Sequence, residues 1–371
     1  MNRFAGISCC SALALSACGC SDSSVLAQDL PATVTEVADF DAPWAMAFLP
    51  DGRLLVSEKR GTLKLLDTAS GDVLEIAGVP PVSAGGQGGF GDVVPHPDFS
   101  QNRLIYLSYA ESGPGGLGAA VARARLDLDT NGGQLVDLEV IWRQVPKVSG
   151  RGHFGHRIAF GPDGDLWISS GERQKFDPAQ DMQSNLGKIV RLNDDGSVPD
   201  DNPFAELGGV AAEIWSLGHR NPLGLAFDAA GRLWNVEMGP RGGDELNLVV
   251  RGANYGYPIV SNGDHYSGAN IPDHDTRPEF HPPAAFWTPV ISPASLMFYS
   301  GSEFPEWQGS AFIGGLSSES LVRVEFDGLD AAEVERFDMR QGIREVEQGP
   351  DGAIWLLEDG RGRLLRLSAP R

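Results

Sequence analysis

A turn followed by an apolar strand recurs six times along this chain, and that recurrence narrows the available folds more than any other feature. The copies begin at Leu49-Pro50-Asp51-Gly52, His96-Pro97-Asp98, Gly161-Pro162-Asp163-Gly164, Asp228-Ala229-Ala230-Gly231, Gln308-Gly309-Ser310 and Gly349-Pro350-Asp351-Gly352. Proline presets φ for such a turn, and glycine supplies the positive φ that a tight reversal needs. Each turn runs into a short, alternating strand rich in leucine, β-branched and aromatic residues, such as Leu54-Leu55-Val56 or Leu166-Trp167-Ile168. Six uneven copies predict an all-β fold, a six-bladed β-propeller with long loops on one face forming the site. Segment 32–37 is a strand left over at the start. Pairing it with Leu364-Leu365-Arg366-Leu367 would close the ring and remove an exposed sheet edge. A pair of stacked sheets would explain the strands but not six similar turns. No long amphipathic helix is evident.

Glycine (47 residues) and proline (25) are spread along the chain, as many turns require, and are not massed in a linker. The formal charge of -21 repels phosphate backbones and excludes nucleic acid as a natural partner. It leaves room for calcium, which prefers oxygen ligands. All four cysteines (Cys9, Cys10, Cys18, Cys20) precede residue 21. The remainder therefore has no disulfide, thiolate nucleophile or cysteine metal site. Arg3 and the uncharged run 4–17 read as an export signal, too short to span a bilayer comfortably. Leu15-Ser16-Ala17-Cys18 resembles a bacterial lipobox. The predicted organisation is a signal at 1–17, Cys18 as the lipidated residue, a tether at 18–31 and the propeller at 32–371. Ordinary cleavage after Ala27 is the alternative. Either way the protein is expected to be exported, to the periplasm or outer membrane or beyond, touching membrane only through a lipid anchor.

The chain carries no P-loop, no strand-to-helix G-x-G-x-x-G and no H-E-x-x-H. Candidate chemistry lies in four loop segments, and each taken alone also fits a plain structural role. Arg151-Gly152-His153-Phe154-Gly155-His156-Arg157 offers a loop histidine as general base. Leu217-Gly218-His219-Arg220-Asn221-Pro222 offers a guanidinium fork and an amide. The segment from Glu237 to Glu245 offers carboxylates and a bent backbone whose carbonyls could cage Ca²⁺. In Gly85-Gly86-Gln87-Gly88-Gly89, missing side chains would let backbone approach a flat ligand.

Together these segments resemble the soluble, PQQ-dependent aldose sugar and glucose dehydrogenases, over about 42–367. The most specific pieces are Gly218-His219-Arg220-Asn221-Pro222, Gly239-Pro240-Arg241-Gly242-Gly243-Asp244-Glu245 and Gly252-Ala253-Asn254-Tyr255-Gly256-Tyr257-Pro258. The resemblance implies a six-bladed propeller that oxidises an aldose to its lactone. It implies His153 as the base, PQQ as the hydride acceptor, and an external electron acceptor such as a cytochrome or quinone. Gln87, Arg220, Asn221, Tyr266 and Arg344 match cofactor-contacting positions, with Arg220 also placed to stabilise a developing oxyanion. The carbonyls of Gly239 and Pro240 match those holding a calcium against the cofactor, while Glu245 and the Tyr255 carbonyl match a further calcium site. The sequence departs from the family where a lysine usually follows Leu316, since Ser317 and Ser318 stand there, and where Gly342 replaces an arginine two residues before Arg344, although Arg340, two residues further back, could substitute. Those departures leave two rivals open: a non-catalytic carbohydrate- or protein-binding propeller, and a calcium-dependent lactonase with His153 as base.

Overall fold

The computed structural model describes residues 30–370, so the signal, Cys18, Ala27 and nearly all of the tether lie outside the described residues. Twenty-four of its strands form six blades. In chain order the innermost strands are Pro43–Phe48, Phe90–Pro95, Gly155–Phe160, Pro222–Phe227, Pro293–Phe298 and Ile343–Gln348, and they neighbour one another around the axis. From each, a turn leads out to the second strand, and the six recurrent turns are these connections, so they all lie at one end of the ring. The last blade takes its outer strand from the amino-terminal side. Thr33–Asp39 pairs antiparallel with Arg363–Ser368, from Thr33 against Ser368 to Asp39 against Arg363. Blades 1 and 2 are additionally joined into one eight-stranded sheet by a short parallel pairing of Val73–Ala77 with Gly132–Arg143.

The strands differ from the expected apolar and polar alternation for a geometric reason. Sheets stacked radially have a neighbour on both faces, so both faces are buried. Leu54 and Val56 pack toward blade 6, whereas Leu55 packs toward blade 2, and all three are fully buried. Six apolar clusters result, one in each blade interface. Deeply buried leucines of this kind contribute about 1.5–3 kcal/mol each. The only α-helical segment among the described residues is Phe99–Asn102, so none is long enough to cross a membrane.

The axis is plugged by one side chain. Arg157, on the inner strand of blade 3, stacks over Trp44 of blade 1 with its guanidinium carbon 4.2 Å from the ring centroid. It pairs with Asp92 of blade 2 at 3.4 Å and with Glu345 of blade 6. It also donates to the carbonyls of Leu223 in blade 4 (2.7 Å) and Ala294 in blade 5 (2.8 Å). One guanidinium thus touches all five other blades. Toward the turns the axis opens into a cavity of about 300 Å³. Toward the opposite mouth the loops gather.

Candidate active site

The four loop segments singled out by sequence sit at this loop-bearing mouth, because each lies just before an innermost strand or just after a second strand. His153 precedes Gly155–Phe160. It is buried, with φ at 47°, a left-handed conformation that a bulky residue holds only when its surroundings enforce it. Its backbone N–H donates to Gln87 Oε1 at 2.6 Å. Its Nδ1 is hydrogen-bonded to Glu172 Oε1, which leaves Nε2 as the unbonded ring nitrogen. Burial holds the His153 pKa below the usual histidine range; Glu172 opposes that shift, and the Arg220 and Arg173 charges add to it. The imidazole is therefore neutral near pH 7, as a general base must be.

Glu172 was not singled out in the sequence. It follows the second strand of blade 3, a place where acidic residues also end the second strands of other blades at Glu58, Glu237 and Glu358. That recurrence was the available signal. Burial tends to raise its pKa, but the bond to His153 and the Phe176 N–H outweigh it, so the carboxylate is held below its ordinary value. Its Oε2 accepts from the N–H groups of Lys175 and Phe176. Arg173, Gln174 and Phe176 all have positive φ, and this curled backbone wraps its N–H groups around the carboxylate. The Glu172 N–H in turn donates to the Arg220 carbonyl at 2.9 Å, tying the dyad to the next blade.

Gln87, Asn221 and Arg344 line one cavity of about 110 Å³, with Trp44, Lys59, Phe154, His156 and Leu316 among the other walls. Its floor is the stacked pair Trp44 and His156, centroids 4.9 Å apart. Arg220 and Tyr266 stand beside it. Arg220 is anchored by one bond from Nη1 to the Met238 carbonyl (2.8 Å), while its Nε is buried without a partner. Tyr266 is 74% exposed at the rim, with the Arg220 guanidinium carbon 5.8 Å from its ring centroid. Phe176, half exposed, continues this aromatic rim.

Gly239, Pro240, Glu245 and Tyr255 were expected to serve two calcium sites. The structure gathers all four around a single small cavity of about 10 Å³, close to the room that one water-sized sphere requires. The carbonyls of Gly239, Pro240 and Tyr255 accept no hydrogen bond among the described residues. Glu245 is more committed: Oε2 accepts from Asn247 at 3.1 Å and Oε1 lies 3.3 Å from His274 Nε2. The other carboxylates of this segment are engaged within the protein. Asp244 accepts the N–H groups of Gly239, Ile291 and Ser292 at 2.7–2.8 Å, and burial pushes its pKa up to about 6. Glu237 is used by His219, Asn247 and the Arg220 N–H. No cluster of three or more His, Cys, Asp or Glu side chains is placed to hold a metal among the described residues. A cation here would rest mainly on carbonyls, as hard cations accept.

The glycine loop also differs from expectation. A Cβ at Gly86 would lie 2.6 Å from the Arg151 carbonyl, and one at Gly89 would lie 2.4 Å from that of Lys59. These glycines serve close packing within the protein, and Gln87 alone of the segment lines the cavity.

Residues 40–366 match the glucose/sorbosone dehydrogenase family model. The chain is 42% identical over 349 residues to aldose sugar dehydrogenase YliI of Escherichia coli, covering 91% of this chain and 94% of that protein. Its fold superposes on the apo form of the soluble Escherichia coli aldose sugar dehydrogenase with a TM-score of 0.85 at 40% identity, covering 91% of this chain and all of the other. It superposes on the PQQ-bound aldose sugar dehydrogenase of Streptomyces coelicolor with a TM-score of 0.76 at 31% identity, covering 93% and 99%. These relatives, similar over nearly the whole described chain, place it among the sugar dehydrogenases. The chain belongs to the glucose/sorbosone dehydrogenase family.

Proposed function

We propose that this protein oxidises an aldose at its anomeric carbon to the lactone, using PQQ and Ca²⁺. The observation that carries the reading is the buried dyad of His153 and Glu172, with Nε2 unbonded, beside Arg220 whose Nε lacks a partner. The residues present fit the cofactor. PQQ is a planar quinone with three carboxylates, and this mouth offers the cations of Arg220 and Arg344 and the amides of Gln87 and Asn221. Gly239, Pro240, Tyr255 and Glu245 would hold the calcium.

When bound, PQQ with its Ca²⁺ supplies an electrophilic quinone that accepts the hydride from the sugar. His153 Nε2 takes the proton of the anomeric hydroxyl as the C1–H bond breaks and the lactone carbonyl forms. Glu172 fixes the tautomer and orientation of the ring and stabilises the imidazolium that results. Arg220 stabilises negative charge developing on oxygen. The exposed rings of Tyr266 and Phe176 give a sugar an apolar face to stack on. An external acceptor such as a cytochrome or quinone would take up the two electrons released by the oxidation. The amino-terminal segment makes the protein an exported one, with Cys18 as its lipid anchor. Loss of fatty-acid labelling in Cys18→Ser would support that placement, and retained labelling would refute it.

The test is protein reconstituted with PQQ and Ca²⁺, assayed against an aldose panel with a dye acceptor. Dye reduction that requires both additions supports the proposal. The absence of structural cations at Ser317 and Gly342 favours a second reading, a propeller that binds carbohydrate without turnover. Lactone hydrolysis in the absence of PQQ would instead support the lactonase.

A further inference from the structure

We infer that Lys59 is an anion-binding residue of the cofactor pocket, and that it pairs with a carboxylate of the bound cofactor. The inference rests on the PQQ reading above. Lys59 follows the second strand of blade 1, Leu54–Glu58, and lines the same cavity as Gln87, Asn221 and Arg344. Its Nζ donates to the Gly86 carbonyl at 2.7 Å and makes no ion pair with a carboxylate of the described residues. Its other charged neighbours are Arg344, which disfavours the ammonium, and the more favourable Asp359. Asp359 is already occupied: its Oδ1 accepts from Arg344 Nε and Nη2 at 2.9 and 2.6 Å.

Two cations thus face one cavity with a single carboxylate between them, and that carboxylate is bound to Arg344. A partly buried ammonium beside a like charge is unfavourable until an anion arrives. Blades 5 and 6 bring no cation other than Arg344 to this cavity. Ser317 hydrogen-bonds Ser292 at 2.7 Å, and a Cβ at Gly342 would lie 2.9 Å from the Leu316 carbonyl, so that backbone has no room for a longer residue. Lys59 is then the cation left over for a carboxylated ligand.

The experiment is fluorescence titration of PQQ, in Ca²⁺, against the native protein and three variants. Lys59→Met removes charge and donor. Lys59→Gln keeps a donor for the Gly86 carbonyl without the charge. Lys59→Arg keeps the charge. Loss of one charge-assisted bond weakens PQQ binding by about 10- to 100-fold. We expect that loss in both Lys59→Met and Lys59→Gln, with Lys59→Arg near the native affinity. Native-like binding by Lys59→Gln alongside weak binding by Lys59→Met would make Lys59 a loop anchor and overturn the inference. Unchanged binding in Lys59→Met would overturn it too, leaving the PQQ reading intact. A native protein that binds no PQQ would remove both.

Discussion

At the scale of single residues, the proposed reaction turns on a proton. His153→Ala removes the proposed proton acceptor, so kcat should fall by about 10²–10⁴-fold, while the PQQ dissociation constant should stay near native, since Gln87, Asn221, Arg220 and Arg344 are the residues proposed to hold the cofactor. Steady-state kinetics beside a PQQ titration separates the two. Retained turnover would refute the base assignment. The pH profile gives a second check. Burial lowers the His153 pKa, so the ring stays neutral below pH 6.5 and activity is lost only as pH falls through that lowered value. The Glu172 carboxylate works against the lowering. In Glu172→Gln that support is gone, so the acid limb should move to still lower pH while kcat falls, because the weaker, less oriented base works more slowly. An acid limb that moves upward would contradict the dyad.

At the scale of strands and blades, Arg157 is the most telling element. Replacing it with methionine leaves Asp92 and Glu345 buried without their cation, a loss of about 3–5 kcal/mol by comparison with other broken buried pairs. Urea unfolding should show a correspondingly lower midpoint, and an unchanged midpoint would remove its role as hub. Deleting Thr33–Asp39 exposes the edge of Arg363–Ser368, and size-exclusion chromatography should then show association through that edge. The turns and the closing strand were legible in the sequence, because proline, glycine and β-branched residues act locally. The burial of both strand faces was less so: Leu54 and Leu55 look alike in sequence and separate only once two neighbouring blades exist. Arg157 looked like one member of a histidine-bearing loop, because its partners come from five distant segments.

At the scale of the whole molecule, legibility depended on how each group acts. His153, Arg220 and the Gly239–Pro240 bend sit in compact segments, and the fold brings those segments to one mouth. Glu172 and Lys59 stand alone after a strand, and only the ring's closure shows what they face. Gly239, Pro240, Glu245 and Tyr255, expected from sequence to serve two calcium sites, line one small cavity, because the segment carrying Tyr255 runs back along blade 3 to the mouth. On the proposed function, this mouth holds PQQ against a calcium ion carried largely by backbone carbonyls. Titration of PQQ with and without Ca²⁺ tests it most directly. Binding should be saturable and one-to-one, weaken markedly when Ca²⁺ is chelated and return when it is restored. Binding indifferent to Ca²⁺, or no binding in its presence, would contradict it.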